Sequence, residues 1–194
     1  MIIGTIVKSN SHVSYLCRIY GKLETDDVPE PSDFAFGTFH AIPLGAGKRL
    51  ICAVRDTVLV NPEYGNHGPR LSPDRDLAIF SPDYLNEKGV LVELVVLGDE
   101  THGRVNHGIP PLAPEIGARV EAVTDEDVLN FHRNDRRSFC IAYLSRLSAR
   151  NDPALNALLL DVLDRLEPSF PEDQPLIRVL RDNLAWKSQI VPAG

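Results

Sequence analysis

The sequence predicts an α+β protein in which a small N-terminal antiparallel β-barrel is followed by a C-terminal helical region. Two patterns support this fold class. From residue 1 to about residue 100, short apolar stretches are separated by clusters of Gly, Pro, Asn and Asp, which is typical of antiparallel strands joined by turns. From residue 124 onwards, apolar residues recur at the spacing of amphipathic helices. We therefore expect a β-barrel domain over residues 1–123 and a helical tail over residues 124–194.

Six strands are expected in the barrel domain. Gly45 and Gly47 allow the positive φ of a tight turn, so the third and fourth strands are expected to form a hairpin. The connection between the fourth and fifth strands, residues 61–89, is long and rich in proline, and connections of that length are often functional. Its last part, residues 81–88, begins with Ser and Pro and is predicted to form a short helix. The predicted strands span residues 1–8, 13–20, 34–44, 49–60, 90–97 and 118–123.

Three helices are expected in the tail. Thr124 and Asp127 have the spacing of a capping box, which predicts a helix that ends at about Arg133. Asp152 followed by Pro153 predicts the start of a longer helix. The last two helices are expected to form a helical hairpin, and the sequence leaves open whether this hairpin packs on the barrel or on another chain. The final helix, over about residues 172–187, is expected to place four apolar side chains on one face: Leu176, Ile177, Leu180 and Leu184.

The composition excludes several classes of protein. Of the 194 residues, 43% are hydrophobic and 24% are charged, which excludes a disordered or collagen-like chain. The longest apolar stretch, residues 90–97, is much shorter than the roughly 20 residues that cross a bilayer. Residues 1–7 have no basic flank and no small-residue cleavage site, so we interpret them as a strand rather than a secretory signal. We therefore expect a cytoplasmic protein without membrane contact. The three widely spaced cysteines predict no disulfide framework.

The charge distribution points to one local basic region. The formal net charge of −7 argues against nucleic-acid binding over the whole surface. A cluster of arginines opposed only by Asp135 nevertheless predicts a patch that binds nucleic acid, phosphate or an acidic partner. Alternatively, these arginines pair with carboxylates of the following helix, such as Asp161 and Asp164. The cluster consists of Arg133, Arg136, Arg137, Arg146 and Arg150.

Common catalytic signatures are absent from the sequence. It contains no Walker-type phosphate loop, no Gly-x-Ser-x-Gly elbow and no Cys-x-x-Cys pair. We therefore predict no catalytic residue and no cofactor. His102 and His107 lie in a glycine-rich stretch near Asp99, and imidazole and carboxylate groups are suitable ligands for a divalent metal. These three residues are the candidates for a metal site, which would make the protein a metal-dependent hydrolase.

One part of the chain resembles a known family. The landmarks are IGTIV at 3–7, SHV at 11–13 with Tyr15, Cys17 and Arg18 after it, DFAFGTF at 33–39, GPRLSP at 68–73 and FSPDYL at 80–85. Together they resemble bacterial proteins that carry a HAS barrel, the β-barrel shared by HerA-type DNA translocases and rotary ATP synthase subunits. The resemblance implies a small closed barrel that assembles with a ring ATPase or a NurA-type nuclease in DNA end processing. Because the sequence lacks the ATPase domain with its phosphate loop, the resemblance implies an accessory partner rather than the motor.

These observations predict a non-catalytic β-barrel protein that acts through protein contacts. Its partner would be a HerA-type ring ATPase or a NurA-type nuclease, and a homo-oligomer is left open. The interface candidates lie in the long connection, where Arg and Tyr are the residue types favoured at interface centres. They are Arg70, Asp83 and Tyr84. Two alternatives remain, a nucleic-acid binding module that uses the arginine cluster and the metal-dependent hydrolase.

Overall fold

The fold is α+β, with an N-terminal barrel of antiparallel strands followed by helices. A computed structural model of the chain describes residues 1–22, 24–61 and 89–190. Its strands are β1 (Ile2–Ser11), β2 (Ser14–Ile19), β3 (Phe39–Gly45), β4 (Lys48–Val60), β5 (Gly89–Thr101), β6 (Arg104–Asn106) and β7 (Arg119–Ala122). Its α-helices are α1 (Asp125–Phe131), α2 (Tyr143–Ser148), α3 (Pro153–Leu166) and α4 (Gln174–Ile190).

Six of these strands close into a barrel, which confirms the predicted fold class. Antiparallel pairing runs in the order β1, β2, β5, β4, β3 and β7, and β7 pairs again with β1. Closure gives each of these strands a partner on both sides. The short strand β6 lies outside the ring and pairs with the last residues of β5. Gly98 permits this pairing, because a Cβ atom there would lie 2.1 Å from the carbonyl oxygen of Asn106.

The barrel wall separates two apolar cores. Leu50, Cys52 and Val54 of β4 point into the barrel, whereas Ile51 and Ala53 point outwards. The outward residues of β3, β4 and β5 pack against the helices in a second core. Adjacent side chains of a strand point to opposite faces, so a strand with both faces covered is apolar at every position. The helices therefore pack on this chain's own barrel, which answers the question that the sequence left open.

Side-chain caps fix the starts of two helices. The Thr124 hydroxyl accepts a hydrogen bond from the Asp127 backbone N–H at 3.1 Å, and the Asp127 carboxylate accepts one from the Thr124 N–H at 3.1 Å. This reciprocal pair is the predicted capping box of α1. At the start of α3, the Asp152 carboxylate accepts a hydrogen bond from the Ala154 N–H at 2.9 Å. Helices α3 and α4 are joined by two 3₁₀ turns, Glu167–Ser169 and Pro171–Asp173.

Several predicted boundaries differ from the structure. The third strand begins at Phe39 rather than at residue 34, because Pro31–Phe34 form a 3₁₀ turn and Gly37 has a φ of 81°. Helix α1 ends at Phe131, before Arg133. The sequence analysis did not predict β6 or α2. The predicted helix at residues 81–88 lies outside the described residues.

Candidate interaction surface

Helix α4 has apolar side chains on two sides. Ile177 and Leu184 are buried against the rest of the helical region. Leu176, Val179 and Trp186 are 49%, 58% and 65% exposed, and their spacing of three and seven residues places them on one side of the helix. We call these three residues the outer face of α4. The inner residues hold the helix in the fold, whereas the outer face leaves apolar area in contact with water.

A shallow groove of about 350 Å³ opens beside the outer face of α4. One wall consists of residues 139–142 with Leu144 and Ser145, and the other consists of Leu176 and Leu180 of α4. The lining is mainly aliphatic and aromatic, and Leu176 belongs to both the groove and the outer face. The groove therefore extends the apolar surface of α4 towards the start of α2.

Contacts between distant residues hold the two walls of the groove in place. The Phe139 N–H donates a hydrogen bond to the Asp173 carboxylate at 2.8 Å, immediately before α4 begins. The rings of Phe139 and Phe170 meet edge to face, with centroids 5.2 Å apart. These contacts join the chain before α2 to the turn before α4, so the groove belongs to the folded state of the described residues.

Two neutral histidines contact the stretch of chain that forms one wall of the groove. In His132, Nδ1–H donates to the Val128 carbonyl at 2.7 Å, so Nε2 is left to accept from the Tyr143 hydroxyl at 2.7 Å. Burial lowers the pKa of His132 to about 3. In His107, Nε2–H donates to the Phe131 carbonyl at 2.8 Å, and Nδ1 accepts from the Ala142 N–H at 3.1 Å. Burial also lowers the pKa of His107.

A tight loop carries three of the candidate arginines next to the groove. Arg133, Arg136 and Arg137 are exposed on residues 133–138, which we call the arginine loop. The Asn134 carboxamide oxygen accepts hydrogen bonds from the backbone N–H groups of Arg136 and Ser138, at 2.9 and 3.1 Å. Within the described residues, none of these three arginines forms an ion pair with a carboxylate. Among the described residues, the loop therefore presents three exposed arginines against the single carboxylate of Asp135.

The other two arginines of the predicted cluster lie elsewhere. Arg146 is half-buried, and its Nη2 donates to the carbonyl oxygens of Val96 and Leu97 at 3.0 and 3.2 Å. Arg150 is exposed two residues beyond the end of α2. The Arg146 guanidinium is thus engaged with the backbone of β5, whereas the loop arginines and Arg150 are exposed.

The suggested carboxylate partners pair with other arginines. Asp161 pairs with Arg165 at 3.1 Å, and Asp164 pairs with Arg181 at 3.3 Å. The structure therefore contradicts the alternative in which Asp161 and Asp164 neutralise the arginine cluster.

The metal-ligand candidates have other contacts. Asp99 accepts a hydrogen bond from the Asn106 amide at 2.7 Å, and His102 lies in the turn between β5 and β6 with a φ of 50°. Both ring nitrogens of His107 are already engaged with the backbone. Among the residues that the structure describes, no three His, Cys, Asp or Glu side chains form a group that could hold a metal ion.

The interface candidates Arg70, Asp83 and Tyr84 lie outside the described residues. In the described part of the chain, no helix has the length and apolar character needed to span a bilayer.

A family model described as "Domain of unknown function (DUF8166)" matches residues 1–193, which include both the barrel and the helices. The chain belongs to the DUF8166 family. No curated protein matches it. In this DUF8166 chain, the groove lies within the region that the family model covers.

The outer face of α4 in this DUF8166 chain is not among the features that the sequence predicts. The helical spacing predicts one apolar face of Leu176, Ile177, Leu180 and Leu184, but Leu176 is half exposed. The available signal was a second apolar stripe, in which Val179 and Trp186 follow Leu176 at helical spacing. The groove itself has no local signal, because residues more than 30 positions apart form its walls.

Proposed function

We propose that this protein is a non-catalytic assembly or accessory protein that acts through protein contacts. The observation that carries this proposal is the exposure of Leu176, Val179 and Trp186 beside an open apolar groove. Contiguous exposed apolar patches on soluble proteins mark interaction sites, and tryptophan is enriched among the side chains that dominate binding energy. Covering apolar surface stabilises a complex by roughly 25 cal/mol per Å² before the costs of association.

The partner that we propose is a HerA-type ring ATPase or a NurA-type nuclease in the cytoplasm. The HAS-barrel resemblance supports this choice, because it implies a closed N-terminal barrel and a role outside the motor itself. The closed six-stranded ring is compatible with that architecture. The helices add a second surface to the barrel, and we assign the contact with the partner protein to that surface.

Co-purification tests both parts of the proposal. The full-length chain would be expressed with a ring ATPase and nuclease encoded near its gene, as wild type and as Val179→Ser/Trp186→Ser. The matched control is Leu59→Ser, which removes an apolar side chain that is 77% exposed on β4. We expect wild type and control to retain one partner and the double variant to lose it. A wild-type chain that elutes alone would refute the choice of partner, and retention by the double variant would refute the surface.

A second candidate function is nucleic-acid binding through the arginine loop. Its support is the exposure of Arg133, Arg136 and Arg137 without carboxylate partners among the described residues. Three phosphate contacts predict a slope of about −3 in a plot of log affinity against log salt concentration. Fluorescence anisotropy of a labelled duplex at several salt concentrations measures this slope. Absence of binding at low salt would exclude the candidate.

A further inference from the structure

We propose that the groove binds an amphipathic helical segment of a partner protein that carries acidic residues beside its apolar face. This inference rests on the proposed function and adds the chemistry of the partner. Three features support it, which are the shape of the groove, the charge at its end and the composition of its lining.

The shape of the groove fits side chains that project from a helix. Its volume of about 350 Å³ holds a few aliphatic side chains. The groove is open to solvent and runs along α4, and the exposed Val179 and Trp186 lie on the same helix. A helix that docks in such a groove contributes apolar anchors at positions i, i+3, i+4 and i+7. The outer face of α4 would then cover the flank of the bound helix.

The charge beside the groove favours an acidic partner. The arginine loop is followed directly by Phe139, which lines the groove, and Arg133 forms an antiparallel backbone bridge with Phe139. The Arg133 guanidinium also lies 5.8 Å from the centroid of the Phe170 ring. Asp135 is the acidic residue within the loop. Because the chain carries a net charge of −7, an acidic partner is repelled by most of the surface and attracted to this loop.

The composition of the lining favours a peptide over a nucleic acid. Single strands bind through aromatic stacking platforms along a basic groove, and duplexes bind through many phosphate contacts. Here the groove is lined by leucine, isoleucine and alanine together with Phe139, and Arg146 is turned away to the carbonyls of β5. Three arginines beside an apolar groove match a segment that has both leucine anchors and carboxylates.

The reactivity of Cys140 reports whether the groove is occupied. It lines the groove, is partly exposed, and its sulfur lies 3.8 Å from Nδ1 of His107. Cys17 and Cys52 are fully buried inside the barrel. Burial raises the pKa of Cys17 to about 12 and also raises the pKa of Cys52, so neither forms the reactive thiolate at neutral pH. Alkylation by iodoacetamide, followed by mass spectrometry, therefore reads the groove alone.

The experiment uses the full chain and three synthetic peptides. The first places leucines at helical spacing with glutamates beside them, the second replaces each glutamate by lysine, and the third replaces each leucine by serine. We expect only the first peptide to protect Cys140 from alkylation. Arg136→Glu/Arg137→Glu should weaken its binding by about tenfold or more, because attraction becomes repulsion. The matched control Arg119→Glu, in a separate pocket with Met1 and Tyr20, should leave binding unchanged.

Each other outcome overturns the inference. Equal protection by the lysine peptide would refute the acidic partner, and protection that grows with protein concentration alone would assign the groove to a second copy of the chain. Protection of Cys140 by duplex DNA but by none of the peptides would refute a peptide ligand and assign the groove to nucleic acid. Retention of the partner in the co-purification without protection by any peptide would refute this inference and leave the proposed function standing. If no partner co-purifies and no peptide protects Cys140, the proposed function and this inference are both wrong.

Discussion

Mild acid should destabilise the protein, because burial opposes protonation of its histidines in the folded state. His40 and His132 are buried, and burial lowers their pKa values to about 4 and about 3. Burial lowers the pKa of His107 as well. In the unfolded chain these rings regain the ordinary pKa of 6.5. Between pH 6.5 and pH 4 the unfolded state therefore binds protons that the folded state does not, and the free energy of unfolding falls as the pH decreases.

The size of the effect follows from the pKa values. Lowering the pH from 7.5 to 5.0 costs about 2 kcal/mol for each histidine whose folded pKa is near 3 or 4. His40 and His132 together thus remove about 4 kcal/mol, and His107 adds to that loss. Asp127 contributes at lower pH, because hydrogen bonding to the Arg49 guanidinium lowers the pKa of its carboxyl below the usual 3.8 and its protonation destabilises the fold only there.

Urea unfolding at pH 7.5 and pH 5.0 measures the difference. His40→Gln keeps a side chain that can hydrogen-bond Thr38, the partner of His40 at 3.1 Å, but cannot be protonated. We expect the difference between the two pH values to shrink by about 2 kcal/mol in this variant. Imidazole NMR signals of folded wild type should show His132 neutral at pH 5.0. Equal free energies of unfolding at both pH values would refute the reasoning, as would protonation of His132 at pH 5.0.

Two further substitutions test how the fold is held together. Asp152→Ala removes the cap of α3 together with the ion pair between Asp152 and Arg55, and it should lower the free energy of unfolding by about 1–2 kcal/mol or more in urea titrations. The exposed Asp164→Ala should change it much less, and equal losses would argue against this stabilising role of Asp152. Gly98→Ala places a Cβ atom against the Asn106 carbonyl and should lower the melting temperature. Gly89→Ala meets no atom of the described residues within 4 Å and should not lower it. An unchanged melting temperature of the Gly98→Ala protein would show that β6 shifts freely.

Local patterns in the sequence predicted the barrel and the starts of two helices. The alternation of strand residues, the Gly45 to Gly47 turn and the caps at Thr124 and Asp152 act over a few residues and are confirmed in the structure. The start of helix α2 carries no sequence signal because its N-cap is Ala142, which has no polar side chain to cap the helix. Strand β6 has three residues and depends on the close approach at Gly98.

The position of Arg146, the groove and the outer face of α4 depend on tertiary contacts, which local sequence patterns do not show. Arg146 was placed with the other arginines because they are close in sequence, but its guanidinium lies against the carbonyls of β5. The groove exists because Phe139 reaches Asp173 and Phe170 across more than 30 residues. No spacing rule encodes such a contact. Prediction of the outer face of α4 required knowledge of which of its two apolar stripes the core would cover.

Site-specific photo-crosslinking tests whether the outer face of α4 binds a partner protein. A photoreactive benzoylphenylalanine would replace Trp186 on the outer face of α4, and in a matched protein it would replace the exposed Lys8 on β1. We expect irradiation in cells to join the Trp186 position to one defined protein, the ring ATPase or the nuclease, and the Lys8 position to give no such product. Cross-links to that protein from Lys8 but not from Trp186 would refute the assignment of the contact to the outer face of α4.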